Sequence, residues 1–239
     1  MTPAPRPRAG VLALQGGVAE HAALLEALGA EVTLVRREGE LLGPDGPRLD
    51  ALVLPGGESS TQDRLLRLLD LAAPLRAAIE AGVPVLGTCA GLIMLSREVL
   101  DPAPGQGSLG LLDVAVRRNA LGSQIASTEA EFEVDAAGVE GLGERGSVRG
   151  ALIRAPEIAS IGPAARAIVS DGGRVLGATS IEARTGTEAA AAAGAATGAV
   201  ADRADARAPL GRVTGISFHP ELSGDPAFHR ALLAQTRRG

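Results

Sequence analysis

Three times in its first hundred residues this chain runs from a short apolar segment into a glycine-bearing turn and then into helical spacing. Gly10-Val11-Leu12-Ala13-Leu14 leads into Gln15-Gly16-Gly17, and Ala51-Leu52-Val53-Leu54 into Pro55-Gly56-Gly57. Val83-Pro84-Val85-Leu86-Gly87 leads into Thr88-Cys89-Ala90-Gly91. Four or five apolar residues bounded by turn formers read as a strand buried on both faces. After the first turn, apolar residues at 18, 22, 25 and 28 keep helical spacing until Gly29 ends the helix. Glu31-Val32-Thr33-Leu34-Val35 is the next strand, and helices are predicted over residues 61–71, 74–81 and 90–99. This alternation predicts an α/β fold: a doubly wound, mostly parallel sheet flanked by helices, with its chemistry at the carboxyl ends of the strands.

The pattern changes between residues 113 and 179. Strands are predicted at 114–116, 131–134, 148–153, 167–170 and 175–178 with few helices between them, an antiparallel layer added to the parallel core. Residues 188–208 are Ala-rich and lack an apolar stripe, which reads as a surface insertion. Residues 213–218 resume as a strand and 225–237 close as a helix. The expected organisation is one domain over residues 9–239, an N-terminal extension over 1–8, and the insertion at 188–208 within the domain.

Composition removes several function classes. The 239 residues carry 28 acids against 23 bases, a net charge of -5, which gives nucleic acid or anionic lipid no basic surface to bind. Trp and Tyr are absent and Phe occurs three times, so stacking platforms for single strands are missing. No apolar run approaches the roughly 20 residues of a membrane span. One cysteine excludes an intramolecular disulfide and a cysteine-rich metal site, and fits a reducing cytoplasm. No metal or cofactor is suggested by the residue inventory.

That cysteine stands in Gly87-Thr88-Cys89-Ala90-Gly91, a Gly-x-Cys-x-Gly turn between a strand and a helix. Small neighbours allow the sharp turn that projects a nucleophile, and the helix start supplies N–H groups that favour thiolate and oxyanion. An arbitrary cysteine is more often a small buried hydrophobe; the two glycines and the strand-to-helix setting argue otherwise here. The candidate base is His219 in Phe218-His219-Pro220-Glu221. Pro220 biases His219 to extended geometry, where residues i and i+2 share a side, so Glu221 can orient the imidazole. Alone, such a histidine would more often be a surface residue. His21 and His229 fall on predicted helices, and neither has a carboxylate two residues on. In Pro55-Gly56-Gly57-Glu58-Ser59-Ser60 the Walker pattern is missing. The segment reads instead as the other half of an oxyanion hole, with the Gly57 N–H facing the Ala90 N–H and Ser59 or Ser60 capping the next helix.

Together these pieces resemble the class I, triad-type glutamine amidotransferases, and within them the glutaminase subunits of pyridoxal 5′-phosphate synthase. The match rests on residues 10–16, 55–61, 87–93, Arg118-Asn119, Ile153-Arg154-Ala155-Pro156 and 217–222. The resemblance implies the class I amidotransferase, flavodoxin-like three-layer fold. It implies Cys89 as nucleophile, His219 as base and Glu221 as orienter, and a glutamine pocket of Gly57, Glu58, Ser59, Arg118, Ile153 and Arg154. It places Gln15 near the site and a partner surface. It also implies L-glutamine as substrate, ammonia as product and a (β/α)₈ barrel synthase subunit as partner in a large ring complex. The family pattern Arg-Asn-Ser-Phe-Gly-Arg-Gln reads here Arg118-Asn119-Ala120-Leu121-Gly122-Ser123-Gln124, which leaves Arg118 in place. Three other readings stay open at this point. They are a glutaminase of another synthase, such as imidazole glycerol phosphate synthase; a free-standing γ-glutamyl cysteine hydrolase; and an idle docking subunit.

Overall fold

A sheet covered on both sides buries consecutive apolar residues along each strand, and the apolar runs do become such strands. The computed structural model describes residues 5–120, 128–135, 146–181 and 212–236. Its elements begin with β1 (Arg8–Leu12), α1 (Val18–Ala27), β2 (Glu31–Val35), α2 (Glu38–Leu41), β3 (Leu42–Gly43) and β4 (Gly46–Pro47). They continue with β5 (Ala51–Leu54), α3 (Ser59–Leu68), α4 (Ala72–Glu80), β6 (Val85–Thr88), α5 (Ala90–Leu95) and β7 (Ser96–Val99). Next come β8 (Leu112–Arg117), β9 (Thr128–Glu133), β10 (Ser147–Leu152), β11 (Glu157–Ile161) and β12 (Ala165–Asp171). The last three are β13 (Arg174–Ser180), β14 (Val213–Ile216) and α6 (Ala227–Gln235).

The main sheet has the order β2-β1-β5-β6-β14-β13-β11-β8-β7, with β12 added on β13. From β2 to β14 every pairing is parallel. Alternation along these strands divides the core in two. Val11, Val53, Leu86 and Ile216 point to one face and pack with Leu25 of α1 and Phe228 and Leu232 of α6. Leu12, Leu52, Leu54 and Val85 point to the other, against Leu66 of α3, Leu75 and Ile79 of α4 and Leu92 of α5. Each such side chain contributes about 1.5–3 kcal/mol by leaving water, so the three layers hold together without aromatic residues in most positions.

Antiparallel strands are added in two ways. β13, β11 and β12 extend the main sheet. β9 and β10 form a separate ribbon, whose Phe132 and Val148 join the α1/α6 face. Three sequence expectations change. The helix expected over residues 90–99 stops at Leu95: the Ser96 hydroxyl donates to the Ile93 carbonyl at 2.8 Å, and β7 pairs parallel with β8. β11 and the short elements α2, β3 and β4 were not foreseen. Arg8, placed in the extension, opens β1 opposite Glu31 and bonds Asp50. The 188–208 insertion and the departures at Leu121 and Ser123 lie outside the described residues.

Candidate active site

Register puts three chain exits level at one end of the sheet. Leu54 pairs with Gly87, and Ile216 with Thr88. Pro55-Gly56-Gly57, Cys89 and Ser217-Phe218-His219 therefore leave the sheet side by side. Cys89 is buried and takes φ 48° and ψ −98°, a conformation that side chains seldom adopt and that costs about 1–3 kcal/mol. The surroundings hold it there. Cys89 N–H donates to the Ile216 carbonyl at 2.8 Å, and its own carbonyl accepts from Ile93 N–H at 3.2 Å. The flanking glycines permit the turn by contact: a Cβ on Gly87 would lie 2.6 Å from the Gly91 carbonyl carbon, and one on Gly91 would lie 2.0 Å from the Leu54 carbonyl oxygen.

His219 is fixed by four neighbours. Its N–H and carbonyl exchange main-chain bonds with Ala151 of β10, at 2.9 and 3.1 Å. Its Nδ1 lies 2.7 Å from Glu221 Oε1. A Cβ on Gly56 would meet its Cε1 at 2.2 Å, so only glycine lets that loop lie on the ring. The Cys89 side chain also hydrogen-bonds the ring. Burial opposes charge on His219, yet the bonds and charges of Cys89 and Glu221 prevail and raise it to about 10. Burial likewise pushes the Glu221 carboxyl up, and hydrogen bonds from His21 and His219 overcome this, holding it well below the usual carboxylate range. Thiol, imidazole and carboxylate thus lie in line, the arrangement of an activated sulfur nucleophile.

The glycine loop after β5 is held by Gln15. Its Oε1 accepts from Glu58 N–H at 2.9 Å, its amide lies against the Gly57 Cα, and its carbonyl accepts from the Gln62 amide at 3.1 Å. Gln15 therefore supports the site within this chain. The helix cap is Glu58 rather than Ser59 or Ser60: its carboxylate accepts from Thr61 N–H at 2.7 Å and Ser60 Oγ at 2.5 Å. A longer acceptor reaches back over the turn from outside the helix. Burial works against the Glu58 charge, but the Ser60 and Thr61 donors lower it to about 2.

Arg118 joins this rim. It donates to Glu58 Oε1 at 3.2 Å and to Gln106 Oε1 at 2.6 Å, while the Gln106 amide donates to Ser59 Oγ at 3.1 Å. Gln106 escaped the sequence reading because it sits in a Pro/Gly loop with no periodicity or motif. Ile153 and Arg154 follow Ala151, whose bonds to His219 bring that end of β10 to the site. Arg154 takes φ 46° and is exposed, as Ile153 partly is. The structure also brings His21 and His229, set aside above as helix residues, together behind Glu221. Among the described residues no group of three or more His, Cys, Asp or Glu could hold a metal ion, and no helix is long and apolar enough to cross a membrane.

The fold and this nucleophile turn define the class: a triad-type glutamine amidotransferase. A solved structure described as a glutamine amidotransferase superposes with TM-score 0.73 at 33% identity, covering 96% of this chain and 98% of that one. PurLQS from Thermotoga maritima, at TM-score 0.60 and 18% identity over 97% of both chains, shares the fold. Residues 11–187 match the model of the SNO glutamine amidotransferase family, and the chain belongs to that family. It is 44% identical over 236 residues to the pyridoxal 5′-phosphate synthase subunit PdxT of Clavibacter sepedonicus, covering 97% of this chain and 93% of that protein. To the same subunit of Cutibacterium acnes it is 43% identical, covering 96% of each.

Proposed function

We propose that this chain is the glutaminase subunit of a pyridoxal 5′-phosphate synthase, releasing ammonia from L-glutamine for a (β/α)₈ barrel synthase subunit within a ring-shaped assembly in the cytoplasm. One observation carries the chemistry: the line from Cys89 through His219 to Glu221 at a strained strand end, closed by the 2.7 Å bond between the last two. Names of relatives identical at 42–44% over most of both chains support the pathway.

The glutamine side chain enters with its amide carbon facing Cys89. The thiolate bonds that carbon, and the amide oxygen takes the negative charge towards the Gly57 and Ala90 N–H groups. His219 gives its Nε2 proton to the departing nitrogen; the C–N bond breaks and ammonia leaves a γ-glutamyl thioester. Water then attacks, His219 takes its proton, the C–S bond breaks, and glutamate departs, leaving the thiolate beside a protonated His219 as at the start. Glu221 keeps the imidazole turned with Nε2 towards sulfur. At the other end of the substrate, ionised Glu58 suits the α-ammonium, and Arg118 and Arg154 suit the α-carboxylate, with Ser59 and Ile153 completing the rim.

The test is ammonia and glutamate release with and without the barrel synthase of the same organism. We expect turnover with that partner and its loss, by about a thousandfold or more, in Cys89→Ala with the fold retained. Turnover surviving in Cys89→Ala would overturn the site. Equal turnover without the synthase would point to a free-standing hydrolase, and stimulation only by another acceptor subunit to a different pathway.

A further inference from the structure

All three histidines of the chain belong to one buried line. His21 of α1 and His229 of α6 are fully buried. Their rings lie 5.0 Å apart, with His21 Nδ1 2.7 Å from His229 Nε2. The other nitrogen, His21 Nε2, lies 3.4 Å from Glu221 Oε1 and 3.1 Å from Thr88 Oγ1. We propose that His21 is a positioning residue: its Nε2–H, shared between Thr88 Oγ1 and Glu221 Oε1, holds that carboxylate against His219, and His229 fixes the tautomer that makes this donation available. The proposal rests on the glutaminase reading of the site.

Hydrogen-bond accounting gives the direction. An ionised carboxylate only accepts, so the ring nitrogen facing it must bring a proton; a bare Nε2 would set lone pair against negative charge. In a neutral ring Nδ1 is then bare and must accept, which the His229 Nε2–H satisfies. That leaves His229 Nδ1, buried without a partner among the described residues, as a bare nitrogen rather than an orphaned N–H. Burial, the largest cause, lowers His229 to about 3 against the pull of Glu221, in keeping with a neutral ring there. Donation thus runs from His229 to His21 to Glu221, and from there the carboxylate holds His219.

The same His21 edge touches Thr88, which precedes the nucleophile. Thr88 Oγ1 accepts from Gly56 N–H at 2.9 Å, in the loop that packs on the His219 ring. One imidazole therefore bears on the exits of β5, β6 and β14 together. A mere filler at this place would be apolar, since two buried imidazoles carry a desolvation cost that a leucine and a phenylalanine do not.

The experiment uses the full chain, assayed with the synthase subunit. First, nitrogen-15 imidazole spectra of the wild type should show His21 and His229 neutral, both carrying the proton on Nε2. A His21 ring bare at Nε2 overturns the proposal, and a doubly protonated His21 overturns the part given to His229. Second, His21→Gln retains a donor near Nε2 and should keep most of the turnover. His21→Leu should lose about 10- to 100-fold in kcat with KM little changed, the usual scale for a supporting partner, and should lower the His219 titration midpoint. Equal kcat in the two variants, high or low, overturns it. If His21→Leu does not fold, the wild-type spectrum still decides; if the wild type never releases ammonia, the functional reading fails while the tautomers remain to be judged on their own.

Discussion

The parallel half of the sheet and its antiparallel extension are built to different tolerances. In β5, β6 and β14 every residue is buried, and the glycines beside them meet other backbone or a catalytic ring at distances no Cβ could share. In β11 and β12 buried positions are mixed with half-buried and exposed ones, and the turn between β12 and β13, Gly172-Gly173, faces open space. Cys89 and His219, the groups proposed to react, sit at the ends of the first set. The rim side chains Arg118, Ile153 and Arg154 come from the second and its loops. On the proposed reading, main-chain packing fixes where bonds are made, and a looser frame presents the groups that suit the ends of glutamine.

Substitutions can break this contrast. Gly91→Ala drives a methyl into the Leu54 carbonyl, where neither backbone can retreat. It should cost about 3 kcal/mol or more, visible as a large fall in denaturation midpoint together with loss of turnover. On the rim, Arg118→Met removes the guanidinium proposed to meet the α-carboxylate of glutamine, a charge-assisted bond worth about 1.5–3 kcal/mol, while its pair with the half-exposed Glu58 adds little to the fold. KM for glutamine should rise by about tenfold or more, with kcat and melting temperature nearly unchanged; an equal fall in kcat would move Arg118 from the rim into the chemistry.

A pH measurement sharpens the picture between these extremes. Folding raises His219, so its protonation stabilises the fold fully below the ordinary value of 6.5 and is lost as pH rises through about 10. Glu221, lowered by folding, contributes above its ordinary value of 4.5, and that contribution is lost as pH falls below it. Cys89→Ala removes the thiol bond and charge, so the His219 midpoint should drop by proton NMR. Stability should then decline less between neutral and alkaline pH than in the wild type. An unmoved midpoint would mean Glu221 alone sustains the charge. The smallest effect belongs to Gly173→Ala: with φ 79° and nothing near its Cβ, it should cost about 1 kcal/mol from backbone strain alone and leave ammonia release unaltered.

The same contrast explains what could be read from the sequence. Most strands of the parallel half are short apolar runs bounded by turn formers, and β2 and β5 fall where expected to the residue. Cys89, His219 and Glu221 announce themselves through local turn and i+2 spacing. What escaped is non-local. Ser96–Val99 continues an apolar helical pattern and turns to strand only because β8 waits beside it. His21 and His229 are 208 residues apart, and neither neighbourhood contains the partner that gives the other meaning. Glu58 caps its helix in place of two serines because its longer side chain also meets Arg118, a contact 60 residues away.

The phenylalanines carry a practical consequence. The chain has no Trp or Tyr, and its three Phe come from three elements: Phe132 from the ribbon, Phe218 from the segment before His219, and Phe228 from α6. Phe218 stacks on Phe132 at 4.6 Å between centroids and meets Phe228 edge-on at 6.0 Å. Ring spectroscopy of this protein is therefore a local instrument. Its near-ultraviolet dichroism reports one place, the wall behind the base, where ribbon, sheet and last helix meet. A single tryptophan introduced anywhere on the surface would fluoresce against a dark background, so docking of a partner and settling of the wall could be followed separately in one sample.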